Sequence, residues 1–234
     1  MSEIITRRSL PHWYVPGAAH FITFRLFGSL PAVVLDRMKE KKTRLLKHTP
    51  GSATSRADFR KSIHKQLFSD FDSYLDSSKE NLWLAEPDIA SMVRGSLYFH
   101  HPVKYHLLAY KIMGNHVHLL LIPTQPRATS DNYSDTDFGE VSDRGNPLSA
   151  IMHSLKSYTA HEANKMLRRS GQFWQHESYD YWVRDDDEME RVVEYINLNA
   201  VRAGLAKLPH EYVWCSAHDR FLADGDRSGW IKAP

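Results

Sequence analysis

The chain has 234 residues, 42% of them hydrophobic and 25% charged, a composition that can bury the core of one globular domain. Its formal net charge of +2 is too small for a general attraction to nucleic acid, so any basic surface must be local. The single cysteine excludes an internal disulfide, and no apolar run approaches the roughly twenty residues of a membrane span. We therefore expect a cytoplasmic protein with no membrane partner.

The first clear strand is predicted over residues 18–27, where β-branched and aromatic residues are frequent and Gly28 ends the run. His20 lies in this strand, and a local hydrogen bond at the strand edge is the favoured interpretation over a role in a site. A helix follows Pro31, and its apolar positions predict one buried stripe. The stripe consists of Val34, Leu35, Met38, Leu45 and Leu46.

A second helical pattern runs from Arg56 to Leu75 and carries apolar residues at roughly helical spacing together with several acids. We interpret it as a solvated helix laid on the core, within a helical insertion of about residues 49–80. A third helix is predicted from Asp88 to Phe99, with Pro87 at its start.

Two apolar runs, Lys104 to Ile112 and Asn115 to Ile122, predict a β-hairpin joined by Met113-Gly114, with the glycine supplying a positive φ. Alternation along the second strand sends His116 and His118 to one face. Two imidazoles on a rigid strand can bind a metal. The alternative is a pair of buried histidines, each hydrogen-bonded to a neighbour.

Residues 124–147 are rich in Ser, Asp, Asn, Gly and Pro, and we interpret them as a flexible loop. A helix from Leu148 to Arg169 follows, which Gly171 ends. Its cations could stabilise the C-terminal end of the helix dipole or contact the phosphates of a nucleic-acid backbone. These cations are Lys156, Lys165, Arg168 and Arg169.

An aromatic-rich stretch over residues 172–184 is expected to end in a strand, and acids at 185–188 then open a helix from Met189 to about Val201. Residues 209–234 form a C-terminal tail, part of which should pack. The element order predicts an α+β fold in a single domain, 1–234. A ferredoxin-like antiparallel sheet, covered by helices on one face, is the natural candidate.

On the last predicted helix, Tyr195 and Asn199 are four residues apart and therefore share a face, with about 6 Å of axial rise between them. If that face looks toward the histidine strand, Asn199 completes a three-ligand site and Tyr195 points at the substrate of the metal. The alternative is a tyrosine packed in the core and an asparagine acting as a cap.

Several motifs together resemble one family. The run 113–120, with its His-hydrophobic-His core, resembles the motif of single-tyrosine transposases, and the match extends through the later motifs. Those are Gly171-x-x-Trp174-Gln175, Tyr179-Asp180 and Tyr195-Ile196-x-x-Asn199-x-Val201-x-Ala203-Gly204-Leu205. The sequence is most similar to the REP-associated tyrosine transposases, closely over 104–123 and 148–216. It departs from them at Gly114, where the family usually has proline, and in the insertion and the loop.

The resemblance implies a single-stranded DNA endonuclease and strand transferase that acts at short palindromic hairpins. A tyrosine, here Tyr195, attacks the phosphodiester and keeps the 5′ phosphate as a phosphotyrosine. The resemblance also implies a divalent metal, Mg²⁺ or Mn²⁺, although imidazole ligands by themselves favour Zn, Ni or Co. Its ligands would be His116, His118 and Asn199.

The resemblance leaves the DNA-contacting residues open. The basic residues of the helix that ends at Gly171 could contact the backbone, and Trp174 and Tyr179 could stack unpaired bases, although such aromatics are more often core residues. Three functions remain open: the transferase, acting as monomer or homodimer at the nucleoid, a non-catalytic DNA-hairpin-binding protein with the same fold, and a metal-dependent hydrolase in which Tyr195 has no role.

Overall fold

The computed structural model describes residues 4–7, 11–47, 56–124 and 146–224. A four-stranded antiparallel sheet organises them, in the order β4-β5-β3-β6, and a separate pair β1-β2 precedes it. The strands are β1 (Ile4–Arg7), β2 (Pro11–Tyr14), β3 (His20–Arg25), β4 (Tyr105–Ile112), β5 (His116–Pro123) and β6 (Tyr179–Trp182). The helices are α1 (Ala32–Leu46), α2 (Arg56–Ser77), α3 (Pro87–Phe99), α4 (Pro147–Met166), α5 (Asp186–Arg202) and α6 (Ser216–Asp224).

The strand order confirms the ferredoxin-like prediction. β5 lies between β3 and β4, and β3 lies between β5 and β6, so each helical crossover skips one strand. All neighbouring strands are antiparallel. The register places His118 opposite Thr23 of β3 on one side and opposite Lys111 of β4 on the other. The histidine strand is therefore central, with hydrogen-bonded neighbours on both sides.

Helices cover both faces of the sheet, which corrects the prediction of a single covered face. The side chains of Ile22 and Leu119 point toward α3 and α4, while those of Phe21 and Leu120 point toward α2 and α5. Because successive strand residues face opposite sides, a strand that is apolar on both sides must be covered on both sides. β5 is such a strand, since seven of its eight residues are buried.

The predicted buried stripe of α1 is wrong. No residue of α1 is buried, and Leu46 is exposed. The reason is that α1 packs against α2 rather than against the sheet. An outer helix of this kind is covered along one line only, so its apolar residues keep part of their surface in water.

Gly114 also differs from the prediction. The described glycines with positive φ are Gly17, Gly28, Gly171 and Gly204, so the hairpin turn does not use a left-handed glycine. Gly114 instead permits a close approach, because a Cβ there would lie 3.2 Å from Cδ2 of Leu82. The carbonyl of Gly114 accepts the backbone N–H of Leu84 at 3.0 Å.

The tail packs over the part that the structure describes. The carbonyl of Trp214 accepts the backbone N–H of Ile112 at 2.9 Å, and Asp219 on α6 accepts the hydroxyls of Tyr98 and Tyr110. Residues 225–234 of the tail, most of the predicted loop 124–147 and the start of the predicted insertion lie outside the described residues. Among the described helices, none has both the length and the hydropathy needed to cross a bilayer.

Candidate functional site

Two histidines lie at the centre of the sheet on the face toward α2 and α5. The side chains of His116 and His118 are fully buried, and their Nε2 atoms are 3.1 Å apart. The other predicted strand histidine, His20, has its Nε2 3.3 Å from the carbonyl oxygen of Val15 and stacks on Tyr14. That local contact agrees with the favoured interpretation of His20.

Neighbouring side chains orient both imidazoles. Nδ1 of His116 lies 2.7 Å from Oδ1 of Asn115, whose amide nitrogen donates to the carbonyl of Leu75 at 3.0 Å. Since that amide oxygen can only accept, Nδ1 of His116 carries the proton and Nε2 presents a lone pair. Nδ1 of His118 lies 2.8 Å from the hydroxyl of Thr23. Hydrogen bonds of this kind orient metal-binding histidines.

Burial keeps both imidazoles neutral. It lowers the pKa of His116 to about 3, with a further contribution from His118, while Asp72 opposes the shift. Burial likewise lowers the pKa of His118 to about 3, assisted by the buried ammonium of Lys111. A neutral imidazole is the form that binds a metal.

The third group of the site comes from α2. Oδ1 of Asp72 lies 3.3 Å from Nε2 of His118 and 3.9 Å from Nε2 of His116, and it is buried without a hydrogen-bond partner. The Nε2 lone pair of His116 and the carboxylate oxygen of Asp72 repel each other, and a cation between them would remove that repulsion. The three side chains therefore fit a metal ion, and a divalent cation can be held by Asp72, His116 and His118.

Sequence reasoning missed Asp72. The helical prediction was correct, but its description as a solvated helix was wrong for the face that meets the sheet, where Phe68, Asp72 and Leu75 are buried. These residues are spaced at i, i+4 and i+7, which puts them on one helix face. An acid within the apolar stripe was the signal available in the sequence, because a buried carboxylate needs a partner.

The structure brings Tyr195 to the same site. Its ring centroid is 5.5 Å from that of His118, and its hydroxyl donates to Oδ2 of Asp72. Burial, followed by the charge and the hydrogen bond of Asp72, raises the pKa of Tyr195 well above its ordinary value. The phenol is therefore neutral at physiological pH and needs an acceptor for its proton when it reacts.

Asn199 lies beside the acids with its amide nitrogen toward them. That nitrogen is 3.4 Å from Oδ2 of Asp72 and 3.3 Å from Oδ2 of Asp76, and Oδ1 of Asn199 is buried without a hydrogen-bond partner. Asn199 as a metal ligand stays a prediction. The contacts that the structure describes are donor contacts to carboxylates.

The four predicted DNA-binding cations differ in their surroundings. Lys165 and Arg168 are exposed at the end of α4. The ammonium of Lys156 donates to the carbonyl of His176 at 3.0 Å and to Ser178, and the guanidinium of Arg169 lies 4.2 Å from the ring centre of Trp83. Lys156 also lines a groove of about 900 Å³ between α4 and residues 171–178, on the opposite face of the sheet from the histidines.

Trp174 and Tyr179 are buried in this structure, and their stacking on unpaired bases stays a prediction. Trp174 is 5% exposed, packs on Phe24 and donates from Nε1 to the hydroxyl of Thr159 at 2.8 Å. Tyr179 is 6% exposed and stacks on Phe68, with ring centroids 4.4 Å apart. Both are core residues, because each completes an apolar cluster on one face of the sheet.

A comparison with solved structures identifies the fold. The chain aligns over 100% of its length with 93% of a REP-associated tyrosine transposase that was solved bound to a REP hairpin, at a TM-score of 0.52 and 15% sequence identity. The chain has the fold of a tyrosine transposase. No protein-family model and no curated protein sequence matches it. At this identity the likeness to the transposase establishes the shared fold, while the chemistry must be argued from the side chains.

Proposed function

We propose that this protein is a REP-associated tyrosine transposase: a metal-dependent endonuclease and strand transferase that acts on single-stranded DNA hairpins through a 5′-phosphotyrosine on Tyr195. One observation carries the proposal. The hydroxyl of Tyr195 is hydrogen-bonded to Asp72, and the other oxygen of Asp72 faces the two imidazoles at 3.3 and 3.9 Å. Nucleophile and candidate metal ligands thus meet through one carboxylate.

Two features slow the reaction: the phosphate is negatively charged and repels attack, and a neutral phenol is a weak nucleophile. The oxygen of Tyr195 would attack the phosphorus while its proton passes to Oδ2 of Asp72. The bond to the 3′ oxygen would break, and that oxygen would take a proton from solvent and leave as a hydroxyl. A 3′ hydroxyl of another strand would reverse the step and release Tyr195. A bound divalent cation, Mg²⁺ or Mn²⁺, would withdraw charge from the phosphate.

The side chains of the protein hold the reacting groups and the candidate metal ligands in position. The sheet holds His116 and His118, and Thr23 and Asn115 fix the orientation of their rings. The hydrogen bond to Asp72 holds the hydroxyl of Tyr195 beside the imidazoles. Holding reacting groups in this way lowers the entropic part of the barrier. All of these residues belong to one chain, which supports activity as a monomer, although a homodimer is compatible with it.

The DNA partner is proposed from the solved relative, which was bound to a REP hairpin. In this chain the exposed cations Lys165 and Arg168 are the side chains best placed to contact phosphates, since neither is buried against other elements. A DNA substrate of this type would place the protein in the cytoplasm, at the nucleoid.

The test is incubation of labelled single-stranded hairpin DNA with the full chain and Mn²⁺, followed by a denaturing gel. We expect a protein–DNA conjugate that Tyr195→Phe abolishes while hairpin binding, measured by gel shift, is retained. Tyr158→Phe is the matched control, because Tyr158 is 55% exposed on α4. A conjugate that persists in Tyr195→Phe would refute the assignment of the nucleophile.

The burial of the site favours a second candidate, the non-catalytic hairpin-binding protein. Both histidines are fully buried and Asp72 is 5% exposed, so a phosphate reaches them only if the elements that cover the site move. In this case the hairpin binds without metal and no conjugate forms with Mg²⁺ or Mn²⁺. The same gel therefore distinguishes the two functions.

A further inference from the structure

We propose that the metal centre takes two carboxylates from α2, those of Asp72 and Asp76, and that Asn199 holds this carboxylate pair in place. The inference rests on the metal dependence of the proposed function, but not on its DNA chemistry. The helix α2 then supplies ligands to the site, and the donor set consists of two imidazoles and two carboxylates.

The helix geometry brings both acids to the imidazoles. Asp72 and Asp76 are four residues apart on α2 and therefore lie one above the other on the same face. Oδ1 of Asp76 lies 3.8 Å from Nε2 of His116, which complements the 3.3 Å distance between Asp72 and His118. Each carboxylate thus lies nearest to a different imidazole.

Three of the four proposed donors already lie close enough together to share one ion, and Oδ1 of Asp76 lies beside them. Donors about 2.1 Å from a metal lie about 3.0 Å apart at a right angle and about 3.4 Å apart at a tetrahedral angle. Here the two Nε2 atoms are 3.1 Å apart, and Oδ1 of Asp72 lies 3.3 and 3.9 Å from them. Oδ1 of Asp76 lies 3.8 Å from Nε2 of His116. On metal binding, Oδ1 of Asp76 would move toward the ion held by the other three donors.

Two buried oxygens lack any other partner. Oδ1 of Asp72 and Oδ1 of Asp76 are both buried and accept no hydrogen bond, while Asn199 donates to the Oδ2 atom of each. Each acid therefore has one oxygen held by the protein and one oxygen left toward the histidines. Buried carboxylate oxygens without a hydrogen-bond partner are costly unless they meet a cation.

Electrostatics support the same arrangement. Two ionised carboxylates four residues apart on one helix face repel each other, and a cation between them would offset that repulsion. A divalent ion would be neutralised by the pair. Carboxylate ligands also suit Mg²⁺ and Mn²⁺ better than imidazoles do, so the second acid would shift the site toward these ions.

The experiment is equilibrium titration of the metal-free full chain with Mn²⁺, with free Mn²⁺ followed by electron paramagnetic resonance and no DNA present. We expect Asp76→Asn to weaken Mn²⁺ binding by about tenfold or more, as loss of a ligand or of its support does. Asp70→Asn is the matched control, because Asp70 lies on the same helix but pairs with Lys41 of α1. It should bind Mn²⁺ like the wild type.

Two further variants sharpen the result. If Asn199 only supports the acids, Asn199→Ala should weaken Mn²⁺ binding less than Asp76→Asn does. If Asn199 is a ligand and Asp76 is not, Asn199→Ala should weaken it more. Circular dichroism checks that each variant is folded, and Asp76→Ala replaces Asp76→Asn if the asparagine unfolds the chain. Equal affinity of wild type and the Asp76 variant would overturn the proposal.

The outcome is independent of the DNA reaction. If the Asp76 variant binds Mn²⁺ weakly but the wild type forms no conjugate with hairpin DNA, the proposed carboxylate pair is supported and the proposed transferase activity is refuted. If a Tyr195 conjugate forms and the Asp76 variant binds Mn²⁺ normally, the proposed transferase activity is supported and the proposed carboxylate pair is refuted.

Discussion

The hydroxyl of Tyr195 donates a hydrogen bond to the carboxylate of Asp72, a residue 123 positions earlier in the chain. The two side chains come from α5 and α2, which pack on the same face of the sheet. Because the other oxygen of Asp72 faces His118 at 3.3 Å, a single side chain links the phenol to the imidazoles. The position of the candidate nucleophile is therefore coupled to the occupancy of the candidate metal site.

Asp72→Asn should remove this coupling. The amide keeps the shape of the side chain but loses the charge that faces the metal and the phenol, so we expect conjugate formation with hairpin DNA to fall by about a hundredfold or more. The rate of conjugate formation on denaturing gels measures it. Asp70→Asn, on the same helix, should leave the rate unchanged, and a normal rate for Asp72→Asn would contradict the role of the carboxylate.

Thr23→Val should weaken metal binding without touching a proposed ligand. The hydroxyl of Thr23 is the hydrogen-bond partner of Nδ1 of His118 at 2.8 Å, and its loss frees the imidazole to rotate. Loss of such an orienting partner costs about 10–100-fold in metal affinity. Mn²⁺ titration measures the effect. Thr43→Val is the control, because Thr43 bonds only to the carbonyl of Lys39 within α1 among the described contacts. Unchanged affinity of Thr23→Val would count against the orienting role.

The metal-free protein should lose stability on acidification through its buried histidines. Their pKa values are lowered by burial to about 3, so between the ordinary value of 6.5 and 3 the unfolded chain binds protons that the folded chain does not. This contribution is fully present above pH 6.5 and falls by about 1.4 kcal/mol per pH unit for each histidine as the pH drops. Asp76, whose pKa is raised to about 7, acts in the opposite direction, because the folded chain keeps its proton as the pH rises from 3.8.

The measurement for this prediction is urea denaturation in EDTA at pH 6.5 and pH 4.5. Wild type should lose more free energy of unfolding over this interval than His116→Gln/His118→Gln, because only the wild type carries the two imidazoles. Equal losses in the two proteins would show that the imidazoles are not held neutral by burial.

Trp174→Ala should reduce stability rather than alter DNA recognition. The indole is buried against Phe24 and bonded to Thr159, so its removal leaves a cavity and should cost about 3–5 kcal/mol of unfolding free energy. Trp182→Ala is the comparison, since Trp182 is only partly buried and should cost less. Chemical denaturation and gel shifts at a temperature where both variants are folded separate the effects. A Trp174→Ala variant that is as stable as the wild type but binds the hairpin weakly would support stacking of Trp174 on DNA bases.

Lys165→Gln/Arg168→Gln should weaken hairpin binding in a salt-dependent way. Each cation that contacts a phosphate releases counterions, so its loss should reduce the slope of log affinity against log salt by about 1. Binding isotherms at several salt concentrations measure that slope. Lys39→Gln, at an exposed lysine of α1 paired with Asp36, is the control. An unchanged slope in the double variant would remove the end of α4 from the DNA interface.

The strand pattern and the spacing of polar residues were readable from the sequence. Period-two alternation placed His116 and His118 on one face of a strand, and the four-residue spacing placed Tyr195 and Asn199 on one face of a helix. These relations are local, because they follow from the geometry of one element and need no knowledge of its neighbours. The order of elements was likewise sufficient for the ferredoxin-like sheet, since crossover rules leave few topologies.

Only the tertiary structure decided which element supplies the acids and which aromatics are core. The helical pattern of α2 was visible, but its contact with the histidine face depends on packing between residues far apart in the chain. The same holds for Trp174 and Tyr179, whose environment is set by Phe24 and Phe68 on other elements. Periodicity shows that a helix or strand has a buried face, whereas the partner of that face is chosen by the free energy of packing the whole domain.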